Sequence, residues 1–245
     1  MEQGATPAIV FDIGETLIHY GNPLNWSALY RPALEQAGRI CALELPEEAF
    51  SSAIAVLRRY NTRLRPRTKE VSADKIFQEI LDGWQMPEGP RETLKQAFFA
   101  FFKRSGPQPF PDVPETLARL KRAGVRTAAL SDVPYGEDNE TALADLREIA
   151  EYIDLPLTSR DTGWRKPDGR GLLYIAERFQ MDAQELIFVG DEEKDVLCAN
   201  SVGAVSVLIV RSGQRPAYGQ QYTIPSMDGL FEILQKEVEA IWNKG

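Results

Sequence analysis

Five short apolar runs decide what this chain can fold into. Residues 8–11, 126–130, 153–157, 186–189 and 205–210 are rich in Ala, Val, Ile and Leu. Runs this apolar suit strands covered on both faces, as in a parallel sheet. Helix-length amphipathic segments separate the later ones. Segment 114–123 places Leu117 and Leu120 at helical spacing, and 137–152 carries Leu143, Leu146 and Ile149. Segment 168–179 opens on Asp168, a candidate N-cap. Alternating strand and helix patterns predict βαβ units, an α/β fold and a doubly wound parallel sheet.

The alternation stops over 22–108. Helical patterns fill this stretch at 26–37, 47–64, 72–84 and 91–102, punctuated by Pro46, Pro66, Pro87, Pro90 and Pro107. The expected organisation is a core domain from 1–21 and 109–245, and an inserted all-helical domain over 22–108. Gly21-Asn22-Pro23 and Gly106-Pro107 are the natural hinges between them.

The formal charge is −8 and the pI about 4.9. That balance argues against nucleic-acid partners and anionic membranes. It leaves phosphate substrates open, because a local cation outweighs a global charge. The two cysteines, Cys41 and Cys198, are far apart and His19 is the single histidine, so a Cys/His zinc site is excluded. No apolar stretch is long enough to span a membrane, and the first twelve residues lack the pattern of a secretory leader. The expected location is the cytoplasm. The sequence gives no reading of oligomeric state.

Four features fall at predicted strand ends, the edge where open α/β sheets bind ligands. Ile9-Val10-Phe11-Asp12-Ile13-Gly14-Glu15-Thr16 delivers a carboxylate into a turn. Such an aspartate serves as a nucleophile toward phosphorus, or as a cap after the strand. Leu130-Ser131-Asp132 offers a hydroxyl to a phosphate oxygen, or to its own turn. Arg165-Lys166-Pro167 offers a cation that neutralises carboxylate and phosphoryl charge, or an exposed basic loop. Val189-Gly190-Asp191 is followed four residues later by Asp195. On a helix the two aspartates share a face and suit a hard, oxygen-liganded cation. The alternative is an acidic helix start favoured by the dipole.

The order Asp, Ser, Lys-Pro, Gly-Asp…Asp, each after its own strand, resembles the haloacid dehalogenase (HAD) superfamily from about Ala8 to about Val210. The helical insert stands where that family carries a C1-type cap. The resemblance implies a Rossmann-like core with strand order 5-4-1-2-3 and a Mg²⁺-dependent phosphatase acting on a small phosphorylated metabolite. Asp12 takes the place of the nucleophile. Thr16, Ser131, Asp132 and Lys166 take those of the phosphate-binding groups, Lys166 also steadying Asp12. Asp12, the carbonyl of Gly14, Asp191 and Asp195 take those of the metal site. Mg²⁺ in that position shields the attacking carboxylate from an anionic substrate.

One position departs from the pattern. Phosphatases of this family usually read Asp-x-Asp-Gly-Thr, and here the second aspartate, the general acid, is Gly14. A positioned general acid contributes about 10²–10⁴ in rate. Three readings follow: Glu15 substitutes as the acid, the substrate has a good leaving group, or the protein is a non-catalytic relative that binds a phosphorylated ligand or a protein partner. Over 58–69 the insert is basic, which reads as a second anion-binding element or as a solvated helix end. Trp26, Trp84 and the Phe98–Phe102 run read as insert core, and His19 as structural.

Overall fold

The computed structural model describes residues 6–21, 25–85, 89–103, 106–214 and 216–242. The predicted hinge residues Asn22 and Pro23, and Pro87, lie outside them. The chain opens with β1 (Ala8–Phe11) and a two-residue strand, β2 (Ile18–His19). Four helices follow: α1 (Trp26–Ile40), α2 (Glu47–Tyr60), α3 (Ala73–Gly83) and α4 (Arg91–Phe102). The chain returns through β3 (Gln108–Pro109), antiparallel to β2. Beyond it come α5 (Val113–Arg122), β4 (Thr127–Ser131), α6 (Asn139–Leu143), β5 (Leu155–Thr158), α7 (Ser159–Thr162) and α8 (Arg170–Phe179). The last elements are β6 (Leu186–Gly190), α9 (Glu193–Ser201), β7 (Val205–Ile209), β8 (Tyr222–Ile224) and α10 (Leu230–Trp242).

The main sheet runs β5-β4-β1-β6-β7-β8, with every pairing parallel. Read from β7 to β5, with only these five strands numbered in chain order, the sheet follows the expected 5-4-1-2-3, and it differs from that expectation in carrying a further strand. The sixth, β8, extends the edge beyond β7, and three residues are too few to show a pattern in sequence. Side chains alternate across the strands, as the pleat requires. Ile9, Phe11, Ile187 and Val189 enter the core shared with α5 and α10. Ala8, Val10, Leu186 and Phe188 enter the core under α8 and α9. The helical insert has its own core around Tyr30, Leu34, Phe77 and Phe98. Burying one such side chain contributes about 1.5–3 kcal/mol.

Helix over 137–152 is the expectation that fails. The segment holds α6 and two short 3₁₀ turns, 144–146 and 150–152, with Ile149 out of helical backbone at φ −123°. Its side chains go two ways. Leu146 and Ile149 enter the sheet-side core, while Glu137 and Asp145 line a cavity on the other side. The non-helical backbone at Ile149 interrupts the helical turns before β5, a break that leucine spacing does not reveal. Smaller corrections concern ends. Helix α2 stops at Tyr60, because Asn61 turns extended and its amide donates to Tyr30 Oη at 2.8 Å. Helix α8 starts at Arg170, whose N–H donates to Asp168 Oδ1 at 3.0 Å, so Asp168 caps from one residue earlier than a standard N-cap.

Candidate active site

Strand β1 sits between β4 and β6, so its end is the centre of the sheet edge. Asp12 follows it directly, its N–H held by Val189 O at 2.9 Å. The next residues form a tight turn in which Leu17 and Ile18 both donate to Ile13 O. Glu15 takes the left-handed conformation there, at φ 54°. Its side chain is exposed and accepts from Tyr20 N at 3.4 Å.

Two loops bring opposite charges to Asp12. Lys166 Nζ lies 2.6 Å from Asp12 Oδ1 and 2.6 Å from Asp195 Oδ1, with all three side chains nearly inaccessible. The backbone N–H of Lys166 donates to Asp132 Oδ1 at 3.0 Å, tying the lysine loop to the end of β4. Asp191 follows β6, and Thr16 donates to its Oδ1 at 3.1 Å. One oxygen from each of Asp12, Asp191 and Asp195 lies within 4.8 Å of the others.

Asp191 and Asp195 do not share a helix face. Asp191 precedes α9, and Asp195 is the third residue of that helix in a capping box: its Oδ2 accepts from Glu192 N at 2.9 Å. With Oδ2 on the helix start and Oδ1 on Lys166, Asp195 has little left for a cation. Asp12 and Asp191 face the open cavity, and Asp195 does not. A cation fits best between Asp12 and Asp191.

The electrostatics agree with that placement. Burial pushes the Asp12 carboxyl up to about 6, with Lys166 opposing and Asp195 adding to the rise. Burial, then the charges of Asp12 and Asp195, push Asp191 up to about 7. Lys166 is desolvated too, but Asp12 and Asp195 hold its ammonium well above the ordinary range. Three crowded carboxylates against one ammonium leave negative charge that a hard divalent ion, with oxygen ligands, offsets.

The cavity above this floor has a volume of about 680 Å³ and is walled by both the sheet edge and the helical insert. Asp12, Gly14, Glu15, Ser131, Asp132 and Asp191 line it. Lys166 lies beneath, and Thr16 is fully buried and off the cavity wall. Substrate contact was expected of Thr16, and the structure makes it a support for Asp191 instead. The Asp132 carboxylate is taken by Lys166 N–H and lies 3.8 Å from Lys194 Nζ, so it braces cations and offers a phosphate no donor from its side chain. Lys194 was missed. It lines the cavity and pairs with Glu192 at 2.6 Å, hidden in sequence within an acidic helix start.

The basic stretch 58–69 divides by position. Arg63 reaches the cavity mouth and pairs with Glu192 at 2.9 Å. Arg67 donates to Tyr60 O at 2.6 Å, and Lys69 stands over the Trp164 ring. Residues 68–70 latch onto the loop before Lys166. Arg165 N donates to Thr68 O at 2.7 Å, Glu70 N donates to Gly163 O at 3.0 Å, and Arg165 pairs with buried Glu70. Trp26 stacks on Phe102 at 3.6 Å between centroids and also faces the cavity. His19 is 5.1 Å from the Phe110 ring at the root of the insert, a structural position.

The family model for haloacid dehalogenase-like hydrolases matches residues 6–203. The chain belongs to that family and is a hydrolase. It is 28% identical to a ribulose-1,5-bisphosphate 5-phosphatase of Halopiger xanaduensis, over 86% of this chain and 87% of that protein. It is 26% identical to the phosphoglycolate phosphatase of Escherichia coli, over 54% of this chain and 50% of that one, so this match spans only half of the relative. Among solved structures, a HAD phosphatase from Thermococcus onnurineus superposes with a TM-score of 0.62 at 23% identity, covering 93% of this chain and 97% of that one. A 2-haloacid dehalogenase from Pseudomonas syringae gives 0.67 at 19%, covering 95% and 99%. These structures share the fold.

Proposed function

We propose that this hydrolase is a Mg²⁺-dependent phosphatase of small phosphate monoesters, with Asp12 as nucleophile. The observation that carries this reading is the placement of Asp12, held by Lys166 at 2.6 Å on the cavity floor with Asp191 beside it. Dehalogenation of a 2-haloacid would not need the acidic pair Asp191 and Asp195 beside Asp12. An Asp12 oxygen bonds to phosphorus as the ester P–O bond breaks, and the alcohol oxygen leaves with the electron pair. Water then cleaves the aspartyl-phosphate, releasing phosphate and freeing Asp12. The hydroxyl of Ser131, on the cavity wall, stabilises the phosphoryl oxygens, while Lys166 offsets charge from beneath through Asp12, and Asp195 fixes Lys166. Asp12, Asp191 and the Gly14 carbonyl would hold Mg²⁺, which supplies Lewis-acid stabilisation of phosphoryl charge. Segment 22–108 acts as a cap domain over the core of 1–21 and 109–245, its inner wall shaping the leaving-group side. Gly14 leaves the departing oxygen without the family's acid, so turnover depends on leaving-group quality.

Turnover of p-nitrophenyl phosphate with Mg²⁺, beside Asp12→Asn, tests the reading. The expected result is hydrolysis by wild type and its loss in the variant. Undiminished turnover in purified Asp12→Asn removes Asp12 from the nucleophile's role.

A further inference from the structure

Beyond Gly14 the cavity wall carries a second polar group. The Tyr20 hydroxyl donates to Asp145 Oδ2 at 2.8 Å. Lys103 Nζ lies 2.8 Å from the same oxygen and 3.7 Å from Glu137 Oε2. Glu137 is 1% exposed, and its other oxygen, Oε1, has no hydrogen-bond partner. A buried acceptor without a donor is costly, and native structures seldom leave one so without reason. This acceptor belongs to a side chain lining the cavity above Asp12.

The group also stands in the right place. A Cβ built on Gly14 would lie 3.7 Å from Tyr20 Cε2, so the cluster begins where the family's missing acid would project, on the leaving-group side. Meanwhile each described cation of the cavity wall lies against a carboxylate, two of them sharing Glu192. Arg63 and Lys194 both pair with Glu192, Lys103 with Asp145, and Arg165 with Glu70. Around Glu137, Lys103 faces two carboxylates, Asp145 and Glu137, so the local balance at this wall is negative and disfavours a second anion.

We infer that Tyr20, Lys103, Glu137 and Asp145 form the leaving-group subsite of the phosphatase site proposed above, and that it selects monoesters whose alcohol carries hydroxyl donors and no second anion. A hydroxyl of the leaving group donates to Glu137 Oε1 and completes the wall. The inference rests on the phosphatase reading, and it sets this chain apart from the relative named for a bisphosphate.

Calorimetric titration with phosphonates, whose P–C bond is not hydrolysed, tests it on the intact protein with Mg²⁺. The three probes are butylphosphonate, dihydroxybutylphosphonate with its hydroxyls at the far end, and butane bisphosphonate. The dihydroxy compound should bind about tenfold tighter than butylphosphonate, equivalent to about 1.4 kcal/mol. The bisphosphonate should bind no tighter than butylphosphonate. Glu137→Leu should erase the tenfold advantage, and Glu137→Gln, which keeps an acceptor oxygen, should retain part of it. Tightest binding of the bisphosphonate overturns the inference. So does an equal affinity for the two monophosphonates, or an advantage that survives Glu137→Leu. If Glu137→Leu fails to fold, the wild-type affinities and Glu137→Gln still decide. Selective binding without p-nitrophenyl phosphate turnover would sink the phosphatase reading alone.

Discussion

Thr16 donates its hydroxyl to Asp191 Oδ1 at 3.1 Å, from a position with no access to the cavity. The hydroxyl leaves the other Asp191 oxygen for a cation and fixes the carboxylate's rotation. Groups that orient a metal ligand from behind typically account for about 10–100-fold in metal affinity. Thr16→Val, nearly isosteric, should weaken Mg²⁺ binding by that factor in calorimetry, with phosphate binding in excess Mg²⁺ little changed. A loss of phosphate affinity at unchanged Mg²⁺ affinity would return Thr16 to the substrate.

Gly14 has room for a side chain. Its backbone is not left-handed, and an added Cβ meets only Tyr20 Cε2 at 3.7 Å, an ordinary contact. Gly14→Asp should therefore fold with a melting temperature near wild type. It should raise turnover of alkyl phosphates by up to about 10²–10⁴, and of aryl phosphates much less. Wild type should show the complementary behaviour, a steep dependence on leaving-group pKa. A shallow dependence with chemistry rate-limiting points to another proton donor, and Glu15→Gln then tests the nearest carboxyl.

Burial raises Asp12 to about 6 and Asp191 to about 7 from an unfolded value of 3.8. Raised carboxyls stabilise the fold fully below their unfolded pKa, and this contribution is lost as pH rises through the folded values. The metal-free protein should thus lose stability between about pH 4 and pH 7. Mg²⁺ competes with the same protons, so its stabilising effect should grow across that window. Melting curves with Mg²⁺ and with chelator, at about pH 5 and pH 8, compare the two. A metal effect independent of pH argues that neither carboxylate binds the ion.

Glu70 and Arg165 form a nearly dry pair across the insert–core boundary, beside the Lys69–Trp164 bridge. Removing one partner of a buried pair typically costs about 3–5 kcal/mol. Glu70→Ala should lower the melting temperature and speed hydrogen exchange at residues 68–70 and 165. Hinge bending at Gly106 alone cannot open this latch, so lid motion has to break its two backbone bonds. Exchange at Glu70 and Arg165 that falls on adding Mg²⁺ and a phosphonate identifies the latch as part of closure; identical exchange describes a fixed cap.

Sequence exposed the parts of the molecule that are local. Each of Asp12, Ser131, Lys166 and Asp191 follows an apolar run or precedes a helix, so its place at the sheet edge could be read from its neighbours. The cluster of Tyr20, Lys103, Glu137 and Asp145 could not. Its members come from the β2 region, the end of α4 and a segment whose leucine spacing imitates a helix, and only the tertiary fold joins them. Glu70 was equally silent, since an acidic residue after a basic run looks like surface. Asp195 was found for a partly wrong reason. Helical spacing placed it on a face with Asp191, whereas the capping box of α9 turns it back toward Lys166.

That backward turn has a consequence for Gly190. A Cβ there would stand 2.4 Å from Asp195 Cβ, Cγ and Oδ2, so the carboxylate lies in the space a methyl group would take. Adding that methyl evicts Asp195, and with it the brace on Lys166 and the start of α9. Lys166, already 2.6 Å from Asp12, would then keep that pair alone and lose its second carboxylate. A change of one carbon, in a residue off the cavity wall, thus reaches Asp12 through two side chains and resets the charge balance around it.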